Sequence, residues 1–197
     1  MENAGVSMVA PYNGCPGRGR TVRTIVRVRN TEYFSGSMKA PFGTIEVIAS
    51  DRGVHNVMFD PDELPRNLRE ATVTRRPSHP VVAEALSQLR EYFAGSRTKF
   101  DLKLDLEGTD FQVSAWKALA KVGYGRTASY LQQATNIGRP TATRAVGAAN
   151  GRNPVAIILP CHRIVGANGS LTGFAGGLGV KQWLLDHEQK VLAKGKS

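Results

Sequence analysis

The sequence contains few cysteines and no long apolar run, and each absence excludes a class of protein. Its two cysteines, Cys15 and Cys161, are too few for a disulfide-dense scaffold and show no CxxC spacing typical of a zinc site. A reducing compartment fits this usage best, and we expect neither a metal nor a cofactor. No apolar run approaches the ~20 residues that span a bilayer, so we expect no membrane partner.

Acidic residues are scarce beside basic ones. The 197 residues include 26 Lys and Arg but only 16 Asp and Glu, which gives a net charge of +10. Such a balance is typical of proteins that bind nucleic acid, yet many small basic proteins are simply well solvated, and charge alone does not decide between the two. Hydrophobic residues make up 41% of the chain, enough to form a core in one or two domains.

The first half of the chain combines a basic start with a mixed α+β pattern. Residues 1–31 are rich in arginine and are interpreted as a mostly disordered extension with a strand at 24–28. Residues 32–105 are interpreted as a small α+β domain, in which Asp51-Arg52-Gly53 is the turn of a hairpin. The elements predicted for this domain are strands at 43–50, 54–59 and 100–106, a loop at 61–77, and a helix at 80–93 that Gly95 closes.

The second half, residues 106–197, is mainly helical. Thr109 is a candidate cap for a first helix, and a second helix is predicted over 127–136. A tight link at 138–140 leads to a third helix, which begins at 140 or 141 and ends near Asn150. Two short helices joined by a glycine-containing turn indicate a helix-turn-helix. The fold class is therefore α+β: an amino-terminal sheet-plus-helix domain, then a helical domain with a helix-turn-helix for DNA.

The third helix is unusually rich in small residues. Gly147 stands inside it, where glycine costs about 1 kcal/mol relative to alanine and so needs a reason. Close approach to DNA is one reason, and helix packing inside the protein is another. Arginines favour the first, because a slim helix with a long side chain can enter a groove and fill a gap in the base stack. The candidate DNA-binding residues are Arg139, Ala142, Arg144, Ala145, Gly147 and Arg152.

Cys161 follows an apolar run at 155–159, which predicts a buried strand or extended segment. Pro160 ends this run, and His162 and Arg163 come directly after the cysteine. A cysteine beside a histidine is a candidate nucleophile, because the reactive thiolate needs a proton acceptor or a nearby positive charge. A lone cysteine is more often an inert core residue, and adjacency to His162 alone does not exclude that reading.

The residues around Cys161 resemble the active-site signature of the O6-alkylguanine-DNA alkyltransferases. Six segments are similar to motifs of that family and occur in its order and spacing, at 125–130, 144–147, 153–154, 160–166, 173–177 and 183–188. The resemblance is strong over 108–190 and holds only in outline before it. It implies that Cys161 attacks the alkyl carbon of O6-alkylguanine, mainly O6-methylguanine, and keeps the alkyl group, so that each molecule acts once.

The resemblance also implies roles for other residues. His162 would take the thiol proton through a water, and Glu188 would orient and stabilise the imidazole. Tyr130 would donate to a guanine ring nitrogen, and Asn153 would hold the turn that carries the site. Taken alone, these last three have ordinary explanations: Glu188 as a solvated charge, Tyr130 as a half-buried helix residue, and Asn153 as a turn residue.

The implied substrate pocket involves Ala156, Ile164, Phe174 and Ala175. The backbone N–H of Ala175 would lie near the guanine oxygen, and carbonyls near Cys161 and Ile164 would accept from the exocyclic amine. The target nucleotide would be flipped out of duplex DNA, with Arg144 in its place and the helix 140–150 in the minor groove. Phe174 replaces a tyrosine of some relatives, and Cys15, His55 and His79 form no set comparable to the zinc site of an animal member.

The leading hypothesis is therefore a single-turnover DNA repair alkyltransferase whose partner is double-stranded DNA containing O6-alkylguanine. A non-catalytic helix-turn-helix sensor or regulator of DNA damage is the alternative, although the chain keeps Cys161, which such relatives replace. A cysteine hydrolase is a third hypothesis, but it would leave the arginine-bearing helix unexplained. We expect a monomer when free, in the cytoplasm of a prokaryote or the nucleus of a eukaryote.

Overall fold

The computed structural model describes residues 31–59 and 64–195. The interpretation of residues 1–31 as a basic extension, with its strand at 24–28, lies almost wholly outside the described residues, as does Cys15. The described chain belongs to one compact unit that begins at Thr31. No helix within these ranges has the length and apolar character needed to span a membrane.

A four-stranded sheet opens the described chain, in the order β3-β2-β1-β4. The three long strands form an antiparallel meander, in which Met38 faces Ile45 and Val47 faces Val57 across the ladders. The strands are β1 (Tyr33–Ala40), β2 (Gly43–Ser50), β3 (Gly53–Met58) and β4 (Val73–Arg75). The predicted hairpin is thus confirmed as β2 and β3. Ile45, Val47 and Ala49 alternate along the face of β2 that packs in the main core, and Ile48 is buried on the other face.

Helix α1 (Pro80–Ala94) packs on the sheet and confirms the helix predicted over 80–93. Proline opens it at a position where the missing N–H costs nothing. Gly95 ends it with φ 79°, a left-handed conformation that glycine adopts without a steric cost. Its buried face includes Leu86, Leu89 and Tyr92. Tyr92, in the last turn, is important for the site described below.

Two predictions for the amino-terminal half were wrong. Residues 61–77 are not only loop, since a 3-10 helix (Arg66–Leu68) and β4 fall within them; β4 exists because it pairs in parallel with the edge of β1, which is a long-range contact. Residues 100–106 form no full strand and pair at one bridge, between Leu104 and Val54. Side chains anchor this segment instead, since Asp105 accepts hydrogen bonds from Ser50 and Arg52.

The helical half consists of α2 (Asp110–Leu119), α3 (Tyr130–Asn136), α4 (Thr143–Asn150) and α5 (Gly177–Lys194). Thr109 caps α2 through a reciprocal capping box, as its sequence position predicted. The second helix begins later than predicted. Ser129 caps it, and the preceding residues form β5 (Ala128–Ser129), which pairs in parallel with β6 (Ile164–Val165). The third helix also begins later, at Thr143.

Helices α2, α3 and α4 are joined by buried polar contacts. The indole of Trp116 donates to the carbonyl of Ala149 over 2.7 Å. Gln133 and Asn150 exchange two amide hydrogen bonds, at 2.7 and 3.0 Å, which lock α3 against α4. Buried polar groups need hydrogen-bond partners, and here each group finds its partner on another helix. These hydrogen bonds therefore fix the angle between the helices of the helix-turn-helix.

The apolar run before Cys161 is buried as predicted but is not a strand. It forms two isolated bridges, from Val155 to Val57 and from Ala156 to Leu159. Ile157 has φ 75°, which is rare for a β-branched residue. A 3-10 helix (Cys161–Arg163) follows it. One continuous core includes Leu89 of α1 together with Ile158 of this run, so the two halves of the chain share their hydrophobic interior.

Candidate active site

Asn153 holds the loop that carries Cys161. Its side-chain amide donates to the carbonyl of Leu159 over 2.7 Å, and its side-chain oxygen accepts from the N–H of Val155. The N–H of Cys161 in turn donates to the carbonyl of Leu159 over 2.8 Å. The two ends of the loop are therefore tied together by the side chain of Asn153.

The Cys161 thiol is buried, with 6% of the residue exposed. Burial raises the pKa of the thiol, because the thiolate loses its hydration. Three effects oppose that rise in pKa: a hydrogen bond from Asn153, the positive charge of Lys181, and the N–H groups of Cys161 and His162. The protein therefore surrounds the sulfur with groups that stabilise negative charge on it.

His162 is fully buried beside Cys161, and its Nε2 lies 2.8 Å from Oε1 of Glu188. Burial lowers the pKa of the imidazole, and the hydrogen bond to Glu188 opposes that effect. An ionised carboxylate can only accept, so Nε2 carries the proton of the neutral ring. Nδ1 is then the free base, and it has no hydrogen-bond partner among the described residues. The side chain is thus arranged to receive a proton.

Glu188 is fully buried in α5 and is surrounded by donors. Oε1 accepts from His162 and from the Tyr92 hydroxyl, and Arg163 binds both carboxylate oxygens at 2.9 to 3.1 Å. The N–H of Gly125 donates to Oε2 over 2.7 Å. Burial would raise the pKa of Glu188, but His162 and Arg163 bring it to about 2. The carboxylate is therefore ionised, and the explanation of Glu188 as a solvated charge is wrong.

Lys181 is a second fully buried charge on the same helix. Its Nζ donates to the carbonyls of Ile164, at 2.6 Å, and Thr172, at 2.9 Å. No carboxylate forms an ion pair with it within residues 31–59 and 64–195. Burial lowers the pKa of its ammonium, and negative charge on Cys161 raises it. Lys181 and Glu188 are seven residues apart, so one face of α5 supplies both charges.

A pocket of about 520 Å³ lies between α4 and the loop before α5. It brings together five predicted residues, Tyr130, Arg144, Gly147, Phe174 and Ala175, with four others, Thr143, Gly151, Thr172 and Gly173. The Tyr130 hydroxyl lies 2.8 Å from the Thr172 hydroxyl. The Phe174 ring meets the His162 ring edge-on at 6.3 Å, and so connects the pocket to the residue after Cys161.

The remaining predicted residues lie outside that pocket. Ala156 and Ile164 are buried, as Cys161 is. Arg139 and Ala145 are exposed. Ala142 is the N-cap residue of α4 and does not lie within the helix. Arg152 and Asn153 line a neighbouring cleft of about 560 Å³, which shares Ala175 and Gly151 with the first pocket.

The space around Gly147 bears on why α4 is slim. A Cβ added at Gly147 would lie 3.6 Å from the Tyr130 ring, which is an ordinary van der Waals distance. Packing within the described chain therefore does not require glycine at this position. Two explanations were given for the glycine at position 147. This distance disfavours helix packing inside the protein and leaves close approach to DNA.

Sequence reasoning missed three side chains that complete the site, Tyr92, Thr172 and Lys181. Tyr92 and Thr172 carried no local signal, because each acts through a partner distant in sequence. Lys181 did carry one. It lies three residues before Leu184 and seven before Glu188, on the buried stripe of α5, where a lysine is out of place.

The fold and the site define a class of protein, one in which a helix-turn-helix precedes a buried cysteine, histidine and glutamate arranged for thiol chemistry. Two family models cover most of the described chain: the ribonuclease-like domain of 6-O-methylguanine DNA methyltransferase matches residues 33–106, and the DNA-binding domain of the same enzyme matches residues 110–190. The chain belongs to the 6-O-methylguanine DNA methyltransferase family.

Individual relatives agree with these matches. A methylated-DNA–protein-cysteine methyltransferase of Methanosarcina barkeri is 44% identical over 159 residues, which cover 79% of this chain and 96% of the relative. The enzyme of the same name from Mycobacterium tuberculosis is 51% identical over 130 residues, covering 62% and 79%. A crystal structure of Mycobacterium tuberculosis OGT in complex with DNA superposes with a TM-score of 0.72, at 42% identity, over 81% of this chain and 94% of that one.

Proposed function

We propose that this protein repairs O6-alkylguanine, mainly O6-methylguanine, in duplex DNA by transferring the alkyl group irreversibly to its own Cys161. The observation that carries the proposal is the buried hydrogen bond from His162 to Glu188, directly after the buried Cys161 and next to a pocket on the helix-turn-helix. The names of its relatives, which specify methylated DNA and a protein cysteine, support the same reaction. Each molecule acts once, because nothing removes the alkyl group from sulfur.

The transfer is an in-line displacement at the alkyl carbon. The thiolate of Cys161 forms the new sulfur–carbon bond while the carbon–O6 bond breaks, and the electron pair of that bond stays on guanine. The thiol proton goes to Nδ1 of His162 through a water, since that nitrogen is the free base of the ring. Glu188 then stabilises the imidazolium through the hydrogen bond at Nε2.

The guanine occupies the pocket beside α4. Tyr130 donates to a ring nitrogen as negative charge develops on the base, and the Thr172 hydroxyl, 2.8 Å away, orients it. Phe174 forms a wall of the pocket, and the Ala175 N–H lies near O6.

The exocyclic amine of guanine donates to the carbonyls of Cys161 and Ile164. Each carbonyl already accepts one hydrogen bond within the protein, from the N–H of Ile164 and from Nζ of Lys181 respectively. A carbonyl oxygen has two lone pairs, so each can still accept a bond from the base. Asn153 keeps Cys161 at the correct position by closing its loop.

Helix α4 binds in the minor groove, and Arg144 fills the space that the flipped nucleotide leaves in the stack. Ala142, Ala145 and Gly147 allow the helix backbone to approach the DNA. Arg139 and Arg152, both exposed, contact phosphates, so binding weakens with salt and depends little on sequence.

We divide the chain into a basic extension at 1–31, an α+β domain at 32–105 and an alkyl-transfer domain at 106–197. The matches of separate family models to 33–106 and 110–190 support the boundary between the last two. We further propose that the free protein is a monomer. It would work where the genome is, in the cytoplasm of a prokaryote or the nucleus of a eukaryote.

Mass spectrometry of the intact protein after incubation with a duplex containing O6-methylguanine tests the function. We expect a stoichiometric gain of one methyl group on Cys161, and none in Cys161→Ala, which should still bind the duplex. Tight binding without any gain in the wild type would favour a damage sensor. Repeated turnover without modification would favour a hydrolase. Methyl transfer by Cys161→Ala would show that another residue is the acceptor.

A further inference from the structure

The amino-terminal half of the chain reaches the active site through Tyr92. This residue lies in the last turn of α1, is fully buried, and donates its hydroxyl proton to Oε1 of Glu188 over 2.8 Å. The same oxygen accepts from Nε2 of His162. Tyr92 and His162 therefore meet at one carboxylate oxygen, although Tyr92 and Glu188 are 96 residues apart in sequence.

The position of Tyr92 is fixed from several sides. Its ring contacts the rings of Phe100 and Tyr124, with centroid distances of 5.5 and 5.9 Å. Its backbone carbonyl accepts from Nε2 of His187 over 2.8 Å. His187 immediately precedes Glu188, so Tyr92 binds two consecutive residues of α5. A side chain held in this way can fix the orientation of the carboxylate that it contacts.

We propose that Tyr92 is a positioning residue for the alkyl-transfer reaction and that, through it, the amino-terminal half of the chain controls the Glu188–His162 pair. The inference rests on the function proposed above. It gives residues 32–105 a part in the chemistry, although their sequence shows no obvious chemistry of its own.

The effect follows from the groups that share the carboxylate. Besides Cys161, four titratable groups surround the Glu188–His162 pair: Tyr92 of α1, Tyr124 of the loop after α2, Arg163 of the 3-10 helix and Lys181 of α5. A hydrogen bond to an anion lowers the basicity of that anion. The Tyr92 hydroxyl therefore weakens the attraction of Glu188 for a protonated His162, and it also keeps Oε1 directed at Nε2. Without the hydroxyl, His162 becomes more basic and less well oriented.

Tyr92→Phe in the full chain tests this role, and Tyr124→Phe is the matched control. Both changes remove one buried phenolic oxygen from neighbouring rings. The Tyr124 hydroxyl, unlike that of Tyr92, has no hydrogen-bond partner in the described part of the chain. The measurement is the rate of methyl transfer from an O6-methylguanine duplex as a function of pH, with the affinity for the duplex measured separately.

We expect Tyr92→Phe to slow transfer about tenfold at neutral pH, which is less than the ~100-fold or more that a positioned general base contributes. The affinity for DNA stays the same. The acid limb of the pH–rate profile moves to higher pH, because His162 holds its proton more tightly. Tyr124→Phe keeps the wild-type profile.

If the acid limb of Tyr92→Phe stays at the wild-type pH, the positioning role is overturned. This holds even if the transfer rate falls by the same factor at every pH, because damaged packing would produce such a fall. Failure of the proposed function is a separate outcome, because the wild type would then gain no methyl group. In that case the role of Tyr92 is tested by the chemical shift of the His162 Nε2–H proton in the free protein. A shift in Tyr92→Phe but not in Tyr124→Phe supports the role, and no shift in either overturns it.

Discussion

Nε2 of His162 and Oε1 of Glu188 lie 2.8 Å apart, and both side chains are completely buried. The pair is enclosed by donors from α1, the loop after α2 and the 3-10 helix. A buried carboxylate is stable only with such partners, since its hydration is lost. The His162–Glu188 pair is therefore part of the folded core as well as of the reactive site. Changes to it should affect both the free energy of unfolding and the rate of alkyl transfer.

The first prediction concerns acid stability. Glu188 has a pKa of about 2 in the folded protein, below its usual value of 4.5, so its contribution to folding is fully present above about pH 4.5 and is lost as the pH falls towards 2. The contribution amounts to about 3 kcal/mol. Urea unfolding between pH 2 and 5 should show a steeper loss for the wild type than for Glu188→Gln. Parallel curves for the two proteins would contradict the prediction.

The second prediction concerns the charge of Lys181. Lys181→Met removes a buried positive charge that stabilises the Cys161 thiolate, so the pKa of the thiol should rise further. Transfer at neutral pH is expected to fall about tenfold for each unit of that rise and to recover as the pH is raised. Lys190→Met, at an exposed position of the same helix, is the control. A loss that alkaline pH does not restore would mean that Lys181 acts only by holding the loop.

The third prediction separates folding from DNA binding at Gly147. Because an added Cβ would meet only the Tyr130 ring at an ordinary distance, Gly147→Ala should raise the free energy of unfolding by about 0.5–1 kcal/mol. The same methyl group should weaken binding to duplex DNA, which fluorescence anisotropy measures. Gly179→Ala, in α5 with open space around it, should stabilise without that loss. If Gly147→Ala bound DNA with unchanged affinity, close approach of α4 to DNA would not explain the glycine.

The fourth prediction tests Arg144 against a phosphate contact. Arg144→Ala should slow methyl transfer from duplex DNA much more than reaction with the free base O6-benzylguanine, because only the duplex needs the gap filled. Arg139→Ala should instead weaken binding to damaged and undamaged duplex alike and reduce the salt slope of log K by ~0.9. Equal losses on duplex and free base in Arg144→Ala would exclude the role in the base stack.

Much of the fold could be predicted where the signal is local. Thr109 with Gln112 marks the start of α2, and Pro80 with Gly95 marks the ends of α1, because caps act within one helical turn. Local pattern was not enough for β4, β5 and β6. Each pairs only two or three residues, and each depends on a strand distant in sequence.

The site divides in the same way. Short motifs in the sequence identified Cys161, His162, Asn153 and Tyr130. The structure places Cys161, His162 and Asn153 in one buried loop. Tyr92 had no motif, because its hydroxyl matters only where α1 meets α5. Its part in the site could not be seen before those helices were placed together.

The sequence by itself determined the ends of α1, the cap of α2, the small-residue helix with Arg144, the positive charge and the cysteine–histidine neighbours. The tertiary structure alone decided the state of the ionisable groups. A carboxylate such as Glu188 is ionised or neutral according to its burial and its donors, and here the donors come from segments as far apart as Tyr92 and Arg163. Burial and hydrogen bonding are properties of the packed chain, so no local pattern could specify them.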